Sequence, residues 1–221
     1  MGLAEFPNFD EVMRARLVAA TDRLAEEFAG VYDRAAISAI VDESARSLSS
    51  HGVTPFVHIL AERFARERLR AHGQTGGQIE KTQQEVLFVS LTGGGRAQIG
   101  AALLAARTGE AVTVHSAGSD AAPDIDENVR TAMGELGIDL AEAYTKPLRP
   151  EVLAAADIVV TMGRSVGEVT IPAEVRHLDW RVGNPAGADL DEVRRVREDI
   201  ERRVDALATE LAAGTSAPAV A

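Results

Sequence analysis

The chain has 221 residues and a formal net charge of −11, from 34 acidic and 23 basic side chains. Such a charge repels a phosphate backbone at long range and argues against nucleic acid as a partner. The absence of cysteine excludes disulfides, thiolate metal ligands and thiol nucleophiles. No apolar run reaches the roughly 18 residues of a membrane span, and no signal-peptide pattern is present, so we expect a soluble cytoplasmic protein without a membrane partner.

Apolar residues recur at steps of three and four between residues 9 and 71, which predicts three amphipathic helices with no strand between them. Their expected buried positions are Phe9, Met13, Leu17, Ala20, Leu24, Phe28, Ile37, Val41, Ala45, Leu48, Val57, Leu60 and Phe64. Asp33 is expected to cap the second helix, while Thr54 and Pro55 are expected to start the third. Residues 1–72 are therefore predicted to form an all-α three-helix bundle.

A bundle of this size has a small core and is only marginally stable alone. Self-association would bury its remaining apolar surface, so a homodimer through these helices is the first expectation. A monomeric bundle that packs on the following domain is the alternative that the same size argument leaves open.

Residues 73–84 have the composition of a flexible linker. Strand and helix patterns alternate after it. The predicted strands are 85–91, 111–118, 157–163 and 174–180, and the predicted helices are 97–107, 126–136, 149–156 and 189–213. This alternation predicts an α/β domain over 85–214, with a small doubly wound parallel four-stranded sheet. Residues 215–221 are predicted to be a disordered tail.

The segment SLTGGGRA lies at the turn between the first strand and the first helix of this domain, where open α/β sheets bind their ligands. Three successive glycines allow positive φ, so that neighbouring N–H groups can point into one concavity. Arg96 can clamp two oxygens of a tetrahedral oxyanion. The segment thus predicts a site for phosphate, sulfate or arsenate, formed by Ser90, Leu91, Thr92, Gly93, Gly94, Gly95, Arg96 and Ala97. The histidines show no metal-ligand spacing, and neither a metal nor a cofactor is expected.

The second domain resembles the low-molecular-weight protein tyrosine phosphatases and the arsenate reductases related to them, over residues 85–214. Three segments are similar to the arsenate reductase branch: HSAGSDAAPDIDENVRTAMGELGIDL, TKPLRPEVLAAADIVVTMG and LDWRVGNPAGADLDEVRRVREDIERRV. The N-terminal helices resemble the three-helix dimerisation module of some actinobacterial members. The resemblance implies the low-molecular-weight phosphatase fold, with the family's anion loop at residues 90–97.

Several positions depart from the family pattern. Ser90 stands where the family has its nucleophilic cysteine, and a hydroxyl needs a general base that is not evident beside it. Asn184 replaces the family's acid, an Asp before Pro, and an amide cannot protonate a leaving group. Ala97 replaces the serine after the arginine, and Arg164 stands where a relay cysteine is frequent. The resemblance therefore implies a catalytically inactive homologue that binds an oxyanion or a phosphorylated ligand and acts as a regulatory or scaffolding dimer.

Two other functions stay open at this stage. One is an active arsenate reductase or phosphatase with a non-cysteine mechanism, and the other is a protein-interaction module with no anion site. The loop also fits a relic strand-to-helix turn in which a carboxylate holds Arg96. His115, alone at a strand end, is expected to be structural, and Asp179 is expected to pair with Arg181 instead of replacing the missing acid.

Overall fold

The computed structural model describes residues 8–50, 56–163 and 169–215. The first helices are α1, Glu11–Glu27; α2, Arg34–Ser50; and α3, Val57–Thr75. Asp33 caps α2 as predicted, since its carboxylate accepts the Ala36 N–H at 2.7 Å. The predicted start of the third helix at Thr54 and Pro55 lies outside the described residues. Within the described ranges, no helix is both long enough and apolar enough to cross a membrane.

Helix α3 continues through Thr75, three residues into the segment predicted as a flexible linker. Gly73 is closely packed, since a Cβ built there would lie 2.5 Å from Cδ1 of Ile79. The Gln74 side-chain amide donates to the Glu85 carboxylate at 2.7 Å. The linker prediction is therefore wrong for residues 73–75, because these contacts outweigh the weak helix propensity of glycine.

The second domain contains one sheet of four parallel strands in the order β2-β1-β3-β4. Its elements are β1, Gln84–Ser90; α4, Arg96–Thr108; β2, Val112–Gly118; α5, Glu127–Gly134; α6, Pro150–Ala155; β3, Ile158–Met162; β4, Arg176–Trp180; and α7, Leu190–Thr215. The predicted parallel α/β fold after a helical bundle is confirmed. Helix α7 includes Thr215, the first residue of the predicted tail, and 216–221 lie outside the described residues.

Helices cover both faces of the sheet, which explains why every residue of β3, and every residue of β1 after Gln84, is buried. On one face, Phe88 of β1 packs edge-on against Trp180 of β4 and joins a core formed with α4, α5 and α7. On the other face, Leu87 and Val159 pack against α6 and the end of α3. The strand register aligns Ser90, the last residue of β1, with Met162 of β3, so the loop that follows β1 begins at the carboxyl edge of the sheet.

The helical bundle packs on the sheet domain of the same chain through α3. Arg68 of α3 donates to Glu151 of α6 at 2.6 Å, and the Tyr144 ring joins the apolar core of the bundle. This packing agrees with the alternative in which a monomeric bundle packs on the following domain. The homodimer stays a prediction.

A group of four charged residues at this contact, the interdomain cluster, comprises Glu67, Glu85, His115 and Lys146. Glu67 of α3 forms an ion pair with Lys146, and His115 of β2 lies 3.5 Å from Glu67 and 3.6 Å from Glu85. Burial alone would lower the pKa of His115, but the two carboxylates raise it to about 9. Burial would likewise raise the pKa of Glu67, but Lys146 and His115 lower it to about 2. His115 of the sheet domain therefore interacts with Glu67 of the bundle across the contact between the two domains, and its structural role stays a prediction.

The interdomain cluster predicts a defined pH dependence of the free energy of unfolding. Because the pKa of His115 is raised from 6.5 to about 9, its contribution is complete below pH 6.5 and is lost as the pH rises through 9. The pKa of Glu67 is lowered from 4.5 to about 2, so its contribution is complete above pH 4.5 and is lost as the pH falls through 2. Urea unfolding of the wild type and of His115→Gln should show the loss above pH 6.5 in the wild type only. Equal alkaline slopes in the two proteins would contradict it.

Candidate functional site

The loop between β1 and α4, residues 90–97, is buried under neighbouring loops. The carbonyls of Ser90, Leu91 and Thr92 accept N–H groups from residues 119–122 at 2.7–3.1 Å. The Ser90 hydroxyl is buried and accepts the Gly93 N–H at 3.2 Å. Within the described residues this hydroxyl has no acceptor for its own proton, so it can donate to a bound anion.

The three glycines of the loop serve two different purposes. Gly93 alone has a positive φ, of 67°. Gly94 and Gly95 allow close approach instead: a Cβ on Gly94 would lie 2.7 Å from the Asp124 carbonyl oxygen, and one on Gly95 would lie 2.8 Å from Cγ of Pro185. All three glycines allow positive φ, but only Gly93 uses that freedom, whereas packing requires glycine at positions 94 and 95.

Main-chain donors without acceptors surround the start of α4. Within the described ranges, the N–H groups of Thr92, Gly94, Gly95, Arg96 and Ala97 have no hydrogen-bond acceptor. Four of these five residues are buried, and buried N–H groups are rarely left unpaired. The first turn of a helix also carries a partial positive charge. The loop thus has donors and positive potential suited to an anion.

Arg96 contributes a buried cation to the same place. Burial lowers the pKa of its guanidinium, and no carboxylate in the described part of the chain pairs with it. Gly163, with a φ of 90°, makes room for this side chain, since a Cβ there would lie 1.9 Å from Nη1 of Arg96. The alternative of a relic strand-to-helix turn expected a carboxylate to hold Arg96, and the described residues provide no such carboxylate. Arg164, the possible second cation, lies outside the described residues.

A cavity of about 390 Å³ opens beside the loop. Its walls include Thr92, Gly94, Gly95, Ala122, Pro123, Asp124, Ile125, Asp126 and Ala186. The two carboxylates in this wall already accept hydrogen bonds: Asp124 from Arg130 at 2.8 Å, and Asp126 from the Asn128 N–H at 2.9 Å. A ligand larger than a free oxyanion therefore has space next to the loop.

The segment that carries Asn184 lies against the loop through Pro185, whose ring contacts Gly95. The Asn184 side chain is exposed and makes one long contact, 3.5 Å from the Ala186 N–H. Asp179 pairs with Arg181 at 3.3 Å, as expected. The segment of Asn184 and Pro185 therefore lies beside the loop, where the resemblance implies an aspartic acid. Asn184 supplies a side-chain amide there instead of a carboxyl group.

Gln98 and the segment 144–146 were not singled out from the sequence. The Gln98 amide donates to two carbonyls at 3.0 Å, those of Gly93 in the loop and of Tyr144. Thr145 donates to the Ala122 carbonyl at 2.6 Å, next to Tyr144 in the bundle core and Lys146 in the interdomain cluster. The side chains of Tyr144 and Lys146 therefore contact the helical bundle, while the Tyr144 carbonyl and the Thr145 hydroxyl bond to residues of the sheet domain beside the loop.

Comparison with known proteins agrees with this geometry. Residues 85–217 match the family model of the low molecular weight phosphotyrosine protein phosphatases. Residues 17–73 match a model described as the N-terminal domain of protein-tyrosine-phosphatase-like proteins.

Similar proteins include arsenate reductases. A putative arsenate reductase of Halobacterium salinarum is 36% identical over 124 residues, covering 53% of this chain and 85% of that protein. The structure of a thioredoxin-dependent arsenate reductase of Corynebacterium glutamicum superposes with a TM-score of 0.81 at 32% identity, covering 90% of this chain and 97% of that one. Together with the matched fold and loop, these similarities show that the chain belongs to the low molecular weight phosphotyrosine protein phosphatase family.

Proposed function

We propose that this chain is a catalytically inactive family member that binds an oxyanion, phosphate or arsenate, in the loop of residues 90–97 and acts as a regulatory or scaffolding protein. The observation that carries the proposal is that, among the described residues, the buried Arg96 has no carboxylate partner and five neighbouring N–H groups have no acceptor. Such groups are costly to leave unpaired in a protein interior, and a bound dianion would satisfy them.

The chemistry of the site supports binding without turnover. Ser90 offers a neutral hydroxyl that can donate to a dianion, where a thiolate would repel it. The described part of the chain supplies no general base within hydrogen-bond reach of Ser90. Asn184 cannot act as a general acid, a role that typically contributes about 10²–10⁴-fold to a rate.

Calorimetric titration with phosphate and arsenate tests the anion site. We expect saturable binding to the wild type and a loss of roughly 100-fold in affinity for Arg96→Ala, because the other donors remain without their charged partner. Arg107→Ala removes an arginine from the far end of the same helix and should leave affinity unchanged. Absence of binding to the wild type would contradict the proposal and favour a protein-interaction module.

An enzyme assay separates the proposal from the main alternative. Purified wild-type protein should release no phosphate from an aryl phosphate and should not reduce arsenate in the presence of thioredoxin or a small thiol. Turnover that disappears in Arg96→Ala would support an active enzyme with a non-cysteine mechanism and would contradict inactivity.

We further propose that the chain forms a homodimer through its helical bundle. The ion pairs Arg23–Glu62 and Glu27–Arg66 show that α1 and α3 run parallel. Their first turns therefore lie at one end of the bundle, and that end exposes the side chains of Val12, Phe56 and Ile59. Burying these side chains against a second copy would remove apolar surface from water.

Light scattering of the full chain tests the dimer. We expect a dimer at micromolar concentration and a monomer for the double variant Phe56→Asn with Ile59→Glu. Phe56 has a φ of 60°, a conformation that Asn tolerates, so the variant should fold. Leu136→Glu, at an exposed apolar position of the other domain, is the control and should remain dimeric. A monomeric wild type would overturn the proposal.

A further inference from the structure

The cavity of about 390 Å³ beside the loop of residues 90–97, here called the loop cavity, borders the main-chain donors of that loop. Thr92, Gly94 and Gly95 line it, and their N–H groups have no acceptor among the described residues. An anion bound by these donors would lie next to the loop cavity, so the rest of a larger ligand would lie against the cavity walls. The lining of the loop cavity therefore determines which substituent on the anion is favoured.

The first wall of the loop cavity is segment 122–126, which is fixed directly to the loop. The Ala122 N–H donates to the Thr92 carbonyl at 2.8 Å. The Asp124 backbone packs on the loop as well, since a Cβ on Gly94 would lie 2.7 Å from the Asp124 carbonyl oxygen. The side chains of this wall therefore have a defined position relative to the anion donors.

The second wall belongs to the segment of Pro185 and Ala186. Pro185 packs against Gly95, and Ala186 lines the loop cavity. The Gly187 N–H donates to Oδ2 of Asp126 at 3.3 Å, a long hydrogen bond that connects the two walls. Asp126 thus lies where both walls meet.

The lining of the loop cavity includes two carboxylates and no cationic side chain. Asp124 is already paired, because Arg130 donates to its Oδ1 at 2.8 Å. Asp126 accepts only main-chain N–H groups, that of Asn128 at 2.9 Å and that of Gly187. It is partly buried, and no cation in the described part of the chain forms an ion pair with it. A carboxylate has about four acceptor sites, so Asp126 retains acceptor capacity and an uncompensated charge.

This uncompensated charge affects what the loop can bind. Free phosphate would bring up to two negative charges into the neighbourhood of Asp126, and Arg96 supplies one buried positive charge in return. Like charges repel more strongly at a partly buried site than in water, so a ligand that brings its own cation is favoured. Alkyl groups can pack between the anion and Asp126 on the apolar part of the lining, which comprises Ala122, Pro123, Ile125 and Ala186.

We propose that the loop cavity binds a small aminoalkyl phosphate, an inference that rests on the anion site proposed above. The phosphate monoester accepts from the loop, the alkyl chain lies along the apolar lining, and the ammonium group pairs with Asp126. Inorganic phosphate makes only the first of these contacts. A hydroxyalkyl phosphate of the same length makes the first two and leaves the charge of Asp126 uncompensated.

Calorimetry on the full-length protein tests this ligand class. The probes are aminoalkyl phosphates with chains of two, three and four carbons, each compared with the hydroxyalkyl phosphate of the same length and with inorganic phosphate. We expect at least one amino compound to bind roughly fivefold more tightly than its hydroxyl counterpart. Glycerophosphoethanolamine carries the same ammonium group on a diester with one negative charge fewer, and it should bind more weakly than the monoester of the same chain length.

Two variants locate the ammonium group. Asp126→Asn should abolish the preference for amino compounds and leave the affinity for inorganic phosphate equal or higher. Asn caps a helix about as well as Asp, so the variant should retain α5 and the circular dichroism spectrum. Glu127→Gln removes the same charge one residue further along the chain, at an exposed position outside the cavity lining, and should keep the preference.

The outcomes separate this inference from the anion site on which it rests. If no amino compound binds more tightly than its hydroxyl counterpart, or if Asp126→Asn keeps the preference, the aminoalkyl ligand is overturned while phosphate binding at Arg96 stands. Equal or tighter binding of the diester would overturn the monoester and point to a lipid headgroup. A wild type that binds neither phosphate nor any of the esters would overturn the anion site and this inference together.

Discussion

Replacing Ser90 with cysteine is expected to produce a thiol with a pKa below about 7, against about 8.5 for a free cysteine. The loop supplies the reasons: the Gly93 N–H already donates to the side chain at this position, the first turn of α4 begins six residues later, and Arg96 is buried without a partner among the described residues. Each of these stabilises a thiolate relative to a thiol. The experiment measures the electrostatics of the loop without any added ligand.

The absence of other cysteines makes this measurement clean, because the ultraviolet absorbance of a thiolate then comes from one position. Titration of Ser90→Cys should give a single low pKa, and adding Arg96→Ala should raise it. Thr209→Cys, at an exposed position of α7, should titrate near the ordinary value. A normal pKa at position 90 would mean that the loop does not concentrate positive potential, and would also weaken the proposal of an anion site.

Glu67→Gln is expected to lower the free energy of unfolding by about 3–5 kcal/mol, the typical effect of breaking a buried ion pair. The substitution keeps the shape of the side chain and removes the charge that compensates Lys146 and His115. Urea unfolding near pH 6, where His115 is protonated, measures the loss.

A glutamate in a surface ion pair provides the matched control. Glu210 pairs with Arg176, and both side chains are about half exposed, so Glu210→Gln should leave the free energy of unfolding nearly unchanged. Adding Lys146→Met to Glu67→Gln should recover part of the loss, because it removes one uncompensated buried charge. Equal effects of Glu67→Gln and Glu210→Gln would show that the interdomain cluster does not stabilise the fold.

The sequence predicts those features that depend on local pattern. Alternating strand and helix signals were sufficient for the parallel α/β fold, and Asp33 was recognisable as a cap because its partner is three residues away. The loop was identifiable from glycines and an arginine directly after an apolar strand. All of these signals lie within short stretches of chain.

Features that depend on contacts between distant residues were not predictable. Nothing near Gly163 indicates that the Arg96 side chain will pack against it. His115 reads as an isolated histidine, because both of its carboxylate partners are distant in sequence or on a neighbouring strand. The packing that requires Gly94 and Gly95 likewise involves Asp124 and Pro185, which the chain brings close only when the sheet forms.

Segment 144–146 restricts how this protein can be divided or recombined. The Tyr144 ring lies in the core of the helical bundle, and burial raises the pKa of its hydroxyl, while its carbonyl accepts from Gln98 behind the loop. A sheet domain separated from its bundle would expose this ring and leave Lys146 without Glu67. Tyr144 and Lys146 therefore depend on the surface of α3. A chimera that joins this sheet domain to a different N-terminal domain needs new residues at positions 144 and 146.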